Sequence, residues 1–393
     1  MIKYFLLINL LYLTESFKLS RCLDNLMCYN YPNDYTITSG RVLYPGKNGI
    51  NHWDKYKISG PVVLAPNKNR NKWLMYYYGR DGTKWKGNYT APDDLPTGYI
   101  GLVESKDGLN WNKVEGNKYK GSVLEPGKIF DNVHVSVSDI DEKDNKLFMF
   151  YSGGTEEKTI DYKTIGLRIR NLVAVSNNTK DWISYKYPIV DINRYNSKYV
   201  FGSHVRVTPL DENDKNGKHI VTLHTLQLRK NNTEAKFKII GCVTNDRAGI
   251  YNLNNLNILL EEGEKNTWDS GGVSVRHIIK LDNVYYMFYS SEGRLDDSCK
   301  WCIGIAYSLN NGITWEKLKI KDKKDLGGPV FEARYNLDAW DNYGVSCPYI
   351  IKKPDGNLRM YYLGMGKTKE GYITSAIGCA ETVNYDITKW IRI

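Results

Sequence analysis

Several familiar chemistries are excluded by what this chain lacks. Seven cysteines are spread over 393 residues, and a single Cys299-Lys300-Trp301-Cys302 stands without a second pair at zinc spacing, so no zinc framework is indicated. The same pair is read as a local disulfide or two inert thiols, and Cys22 with Cys28 as a second possible pair. Cys242 and Cys379, each following a glycine in equivalent apolar strands, are expected to be core residues. No apolar run is long enough to span a bilayer, which takes about 20 residues. The one notable run, residues 4–13 after Met1-Ile2-Lys3, has the length of a secretory signal's apolar region. Residues 1–16 are therefore expected to be a signal peptide, directing the chain outside the cell or to an organelle on that route such as a plastid. No membrane span is expected after its removal. Concentrated charge is also missing: 54 basic and 44 acidic residues give +10, but the two signs interleave, which argues against a nucleic-acid-binding stripe.

What is abundant is tyrosine, 31 residues, arranged in a long-period repeat. Trp53-Asp54, Phe130-Asp131, Phe201-Gly202, Trp268-Asp269 and Trp340-Asp341 start five units separated by 77, 71, 67 and 72 residues. An alternating strand follows each start, at 58–63, 133–137, 203–207, 273–278 and 345–350. Aromatic or β-branched second strands follow at 73–78, 147–151, 219–224, 285–289 and 359–362. Third strands carry 100–103, 172–175, 240–243, 303–306 and 377–380, and fourth strands are read at 121–125, 258–260 and 328–332. The turns Ser105-Lys106-Asp107-Gly108-Leu109-Asn110-Trp111 and 308–315 resemble the Asp-box hairpins of sialidase-type propellers, which are structural.

Four strands in five units make an all-β, five-bladed β-propeller over residues 41–393, preceded by a segment at 17–40. The last unit is read as ending after its third strand, so residues 41–45 are expected to supply the strand that closes the ring.

Trp-Asp starts, the Gly344 to Ile351 strand with its Val-Ser-Cys-Pro, and the Ser-x-Asp-Gly-x-x-Trp hairpin together resemble the arabinanase, levansucrase and invertase superfamily of glycosidase propellers. That resemblance implies a carbohydrate ligand in an axial funnel and hydrolysis by two Asp and one Glu. No cofactor is implied. The slots that carry those carboxylates hold Ser59-Gly60, His134-Val135, Ser203-His204, Ser274-Val275 and Ser346-Cys347 instead.

Three readings follow. In the first, a hydrolase uses Asp54, Asp131 and Asp269 from the blade starts, with Glu292 in the blade-four loop as acid. Ligand contacts would then come from His134, His204, Arg206, Trp85 and Asp341, the two histidines standing in equivalent slots and titrating near neutral pH. In the second, those Asp residues cap turns, as their recurrence in four blades suggests, and the propeller binds a glycan or a protein partner without chemistry. In the third, His204, Arg206, Arg276 and His277 hold phosphate, as in glycoside phosphorylases of this architecture. Strand alternation then lets only one of Arg276 and His277 face the axis.

Overall fold

The computed structural model describes residues 35–46, 52–83, 97–127, 129–158, 164–192, 202–211, 217–228, 235–244, 256–293, 301–320 and 327–393. The predicted signal segment, Cys22, Cys28, Cys299 and Trp85 lie outside them. Among the described residues no helix is long and apolar enough to cross a membrane.

Five antiparallel sheets form the molecule, each running from an inner to an outer strand in chain order. Blade one comprises Lys57–Leu64, Trp73–Arg80, Tyr99–Ser105 and Trp111–Val114. Blade two comprises His134–Lys143, Lys146–Lys158, Thr164–Ser176 and Ile183–Ser184, and blade three Ser203–Pro209, His219–Leu228, Ala235–Thr244 and Asn257–Leu260. Blade four is Val273–Leu281, Val284–Ser291, Ile303–Ser308 and Glu316–Lys317. Blade five is Gly344–Lys352, Leu358–Lys367 and Ile373–Val383 with a composite outer edge. Every inner strand touches the inner strands of both neighbours, and blade five returns to blade one. The ring is closed.

Closure uses both ends of the chain. Arg41–Leu43 pairs with the strand Ile373–Val383 at Gly378 and Ile377, as expected, but the C-terminal Asp386–Arg392 also pairs with that strand further along. The two pieces meet at Cys379, whose N–H donates to Gly40 O and whose carbonyl accepts from Ile393 N. Blade five thus has its own fourth strand, extended by the N-terminal one. The outer strands of blades one and four also differ from the sequence reading. Trp111–Val114 and Glu316–Lys317 take that place, whereas Leu124 and Phe331 make single bridges to Ile100 and Ile303.

The hairpin turns join blades. Asp107 Oδ1 accepts from the N–H groups of Leu109 and Asn110, hydrogen bonds that hold its carboxyl below the usual range, and Gly108 takes the left-handed backbone the turn requires. The carbonyls of Asp107 and Gly108 then accept from Arg359 and Tyr361 of blade five. A third such turn, at Asn178, lies in blade two: its side chain accepts from Lys180 and Asp181, and Thr179 O accepts from Tyr76 of blade one.

Candidate functional site

Four of the predicted site residues are the Asp residues at blade starts, and each is tied into its own blade. Asp54 accepts from Tyr77 on the second strand and pairs with Lys113 on the fourth at 2.6 Å. Asp269 does the same with Tyr289 and Lys317, and Asp341 with Tyr362 and Arg392, adding Arg334. Asp131 accepts from Tyr151, which also donates to Ser184 on the fourth strand. In blade three Leu223 stands where the others have Tyr, so this blade has no phenol at that place to bond an Asp. Burial opposes the Asp54 charge, but the His52 hydrogen bond and Lys113 hold its carboxyl below the ordinary range. Asp131 has no basic partner among its bonds, and burial raises it.

The axis is built by other residues. Each inner strand carries a bulge, and aligning the blades through their registers puts a serine in one slot of all five: Ser59, Ser136, Ser203, Ser274 and Ser346. All are buried. Some of them lace neighbouring blades together. Ser203 bonds Ser152, and Ser346 donates to Ser290 at 3.0 Å. The next slot is held in the left-handed region at Gly60, His204 and Cys347. His204 and Cys347 have side chains there, a strain of about 1–3 kcal/mol each that other contacts must offset. Their N–H groups donate to Ser152 and Ser290.

This register corrects one expectation. His134 lies two residues before its ring serine and His204 one residue after, so they are not in equivalent slots. They are still near enough for a charge on His204 to disfavour one on His134. Nor do they titrate near neutrality. Burial, then Arg276 and Arg206, push His204 down to about 3, and burial with Arg80 and His204 lowers His134. Both imidazoles are neutral at physiological pH.

Beyond the bulge, the slot facing the second strand is Val62, Asp139, Arg206, His277 and Tyr349 in blades one to five. Arg206 Nη1 lies 3.4 Å from Asp139, and its guanidinium sits 4.8 Å over the ring of Tyr349. Blades three and five are not neighbours, so that contact crosses the axis. His277 packs on Tyr349 at 4.1 Å between ring centres. These side chains floor the funnel.

Above the floor stand Lys57, Tyr78 and Arg80 of blade one, His134 of blade two, His204 and His224 of blade three, and Glu292 with Trp301 of blade four. Lys57, Arg80, His134, His204, Glu292 and Trp301 each keep partial exposure. Burial and then Arg80 push Lys57 down to about 8. Glu292 is bonded by Trp301 Nε1 at 2.9 Å and by Ser274, and burial outweighs these bonds and raises its carboxyl. Arg80 and Glu292 occupy the same place, three residues past the clamp tyrosines 77 and 289. Of the nine predicted site residues, Glu292, His134, His204 and Arg206 come together at the axis, and Asp54, Asp131, Asp269 and Asp341 stay in their blades. Among the described residues no group of three His, Cys, Asp or Glu is placed to hold a metal ion.

No protein-family model and no curated protein matches the chain. Solved structures do. A glycoside hydrolase covering 94% of its own length and 92% of this chain superposes with a TM-score of 0.59 at 15% identity. A thermostable family-43 glycoside hydrolase gives 0.57 at 13% identity, covering 85% of this chain and 94% of its own. The fold is that of the five-bladed glycoside-hydrolase propellers. A β-1,2-mannobiose phosphorylase from Listeria innocua shares it, with a TM-score of 0.56 at 13% identity over 87% of this chain and 94% of its own. Within that fold, the described residues of this funnel include the basic side chains Lys57, Arg80, Arg206 and Arg276 and the carboxyls Asp139 and Glu292.

Proposed function

We propose that the chain acts on a carbohydrate in the axial funnel as a glycosidase-like protein, with Glu292 as the proton donor. The observation that carries this is the setting of Glu292: a buried carboxyl with a raised pKa, positioned by Trp301 and Ser274 at the funnel wall. A glycosidic acid must hold its proton near neutral pH, and burial provides that. Trp301 adds an aromatic face of the kind that packs on sugar rings. Asp139, the other carboxyl of the funnel, is tied to Arg206 and to the N–H groups of Val207 and Ile140, so it serves the floor. The start of the chain, with residues 4–13 as the apolar region of a signal, supports action along the secretory route.

Glu292→Gln, assayed on a panel of aryl glycosides, tests the reading. Turnover should fall at least 100-fold, in the range that general acid catalysis supplies, and the alkaline limb of the wild-type rate profile should lie above the ordinary carboxyl range. Unchanged turnover in the variant removes Glu292 as acid. A wild type that binds glycans and turns none over favours the second reading, a non-catalytic binding propeller, which the absence of a free carboxylate pair among the described funnel residues supports.

A further inference from the structure

Buried cations elsewhere in this molecule are matched by carboxylates. Lys113 meets Asp54, Lys317 meets Asp269, and Arg392 with Arg334 meets Asp341. The funnel breaks the pattern at two places. Arg276, with no exposed surface, leaves Nη1 and Nη2 without a hydrogen-bond partner. Lys57, the first residue of its inner strand, has neither an ion pair nor a side-chain hydrogen bond among the described residues. Arg80 is its register partner on the second strand, so the two cations leave the same face of the sheet. The Lys57 slot, two residues before the ring serine, holds His134 in blade two and Gly344 in the neighbouring blade five. Gly344 has no side chain to set against the amine. Arg80 repels the Lys57 charge, and Cys347 of blade five would attract it only as a thiolate. Burial raises that thiol and keeps it protonated, so it supplies no counter-charge.

We propose that Lys57 is a carbonyl-capturing amine, which forms a reversible imine with the open-chain aldehyde of an aldose in the funnel. The sugar class rests on the reading of the funnel as a carbohydrate site, but no step depends on chemistry at Glu292. A lysine becomes a nucleophile at neutral pH when it is desolvated or set beside another cation. Both conditions hold here: burial and then Arg80 push Lys57 down to about 8. The residue keeps partial exposure, so an aldehyde can reach Nζ. In the first step the neutral Nζ lone pair adds to the carbonyl carbon. The C–N bond forms as the carbonyl π pair moves to oxygen, which takes up the proton that nitrogen releases. The carbinolamine hydroxyl then leaves as water with a proton from solvent, the nitrogen lone pair closes the C=N bond, and the imine returns that proton. Nothing is oxidised or reduced. Cys347, the other nucleophile at this wall, stays protonated and does not compete.

The test is reductive trapping of the full chain with D-erythrose and cyanoborohydride at pH 7, followed by peptide mass mapping. Lys57 should be labelled at least roughly ten-fold faster than any surface lysine, because its lowered pKa raises the neutral fraction by about two orders of magnitude. Its labelling rate should saturate with aldose concentration. It should rise with pH only to about 8, whereas the surface lysines go on rising. Lys57→Arg keeps the charge and should lose the adduct. Arg80→Gln removes the repelling cation, so the pH at which Lys57 labelling levels off should move up, a shift that a purely structural role for Arg80 would not give. Labelling of Lys57 no faster than at the surface, a rate that grows linearly with aldose, or a plateau unmoved by Arg80→Gln overturns the proposal. Should Lys57→Arg not fold, the wild-type map and Arg80→Gln decide alone. A wild type that hydrolyses glycosides yet gives no Lys57 adduct removes this inference alone. A Lys57 adduct in a chain that hydrolyses none removes the glycosidase reading and leaves this one standing.

Discussion

Removing the carboxylate of Asp54 should cost stability before it costs anything else. The side chain is fully buried and carries bonds to His52, Tyr77 and Lys113. Asp54→Ala strands a buried ammonium and a buried phenol, and breaking one side of a buried pair costs about 3–5 kcal/mol. That is a large share of the roughly 5–15 kcal/mol by which proteins are stable. With an unfolding entropy of roughly 2.1 cal/mol/K per residue over 393 residues, the midpoint should fall by about 4–6 °C. The effect has a pH signature. Since the folded carboxyl titrates below its unfolded value, its stabilisation is present above the unfolded pKa and is lost as the pH falls below about 4. Wild type and variant should therefore converge in acid. Thermal melts by circular dichroism from pH 3 to 7, alongside glycoside assays of Asp54→Asn, decide the matter. If Asp54→Asn abolishes turnover and leaves the melting midpoint unmoved, Asp54 is a catalyst and the clamp reasoning is refuted.

Two other outcomes are expected. A methyl group at Gly101 would fall 1.9 Å from Cζ2 of Trp53, so Gly101→Ala should lower the urea midpoint by an amount equivalent to at least 1–3 kcal/mol; an unchanged midpoint would mean Trp53 is not packed on the strand. Asp131→Gly with Tyr151→Leu removes both ends of the blade-two clamp at once. The double variant should be less destabilised than the sum of the singles by roughly 0.5–3 kcal/mol, and strict additivity would show the two side chains to be independent.

The ring was legible because its buried parts repeat. Trp53, Trp268 and Trp340 pack on Tyr77, Tyr289 and Tyr362, and such pairs leave an aromatic period in the sequence. The outer strands were read at apolar segments, 121–125 and 328–332, yet the true ones are Trp111–Val114, Glu316–Lys317 and Asp386–Arg392. An outer strand is covered on one side only, so it needs no apolar run, and its residues are mostly half-buried or exposed. The mispairing of His134 with His204 is an offset of three residues: the ring serine comes five residues after Asp131 in blade two but one after Gly202 in blade three, and a count from the aromatic starts has no mark for that difference. Arg80 and Glu292 are strand-end residues that read as loop, and the floor slot holds five different residue types, so no motif announces it.

That difference between blades is itself informative. Slots that repeat around the ring are the ones that build it: the five serines, the Asp–Tyr clamps, the tryptophans on their glycines. A ring of identical units presents a five-fold symmetric funnel, and no sugar or acid group has that symmetry. Recognition therefore has to enter where the units diverge. Divergence is concentrated at the axis: Val62, Asp139, Arg206, His277 and Tyr349 share one slot, Gly60, His204 and Cys347 share a left-handed one, and Arg80 and Glu292 share a third. Blade three departs furthest, since Leu223 replaces its clamp tyrosine and it carries both His204 and His224. It faces Arg276 across the wedge with blade four, where the unmatched charge lies. Loss of the clamp tyrosine and gain of ligand-type groups fall in the same blade, which is the pattern expected if blade three was released from the repeat to read a ligand.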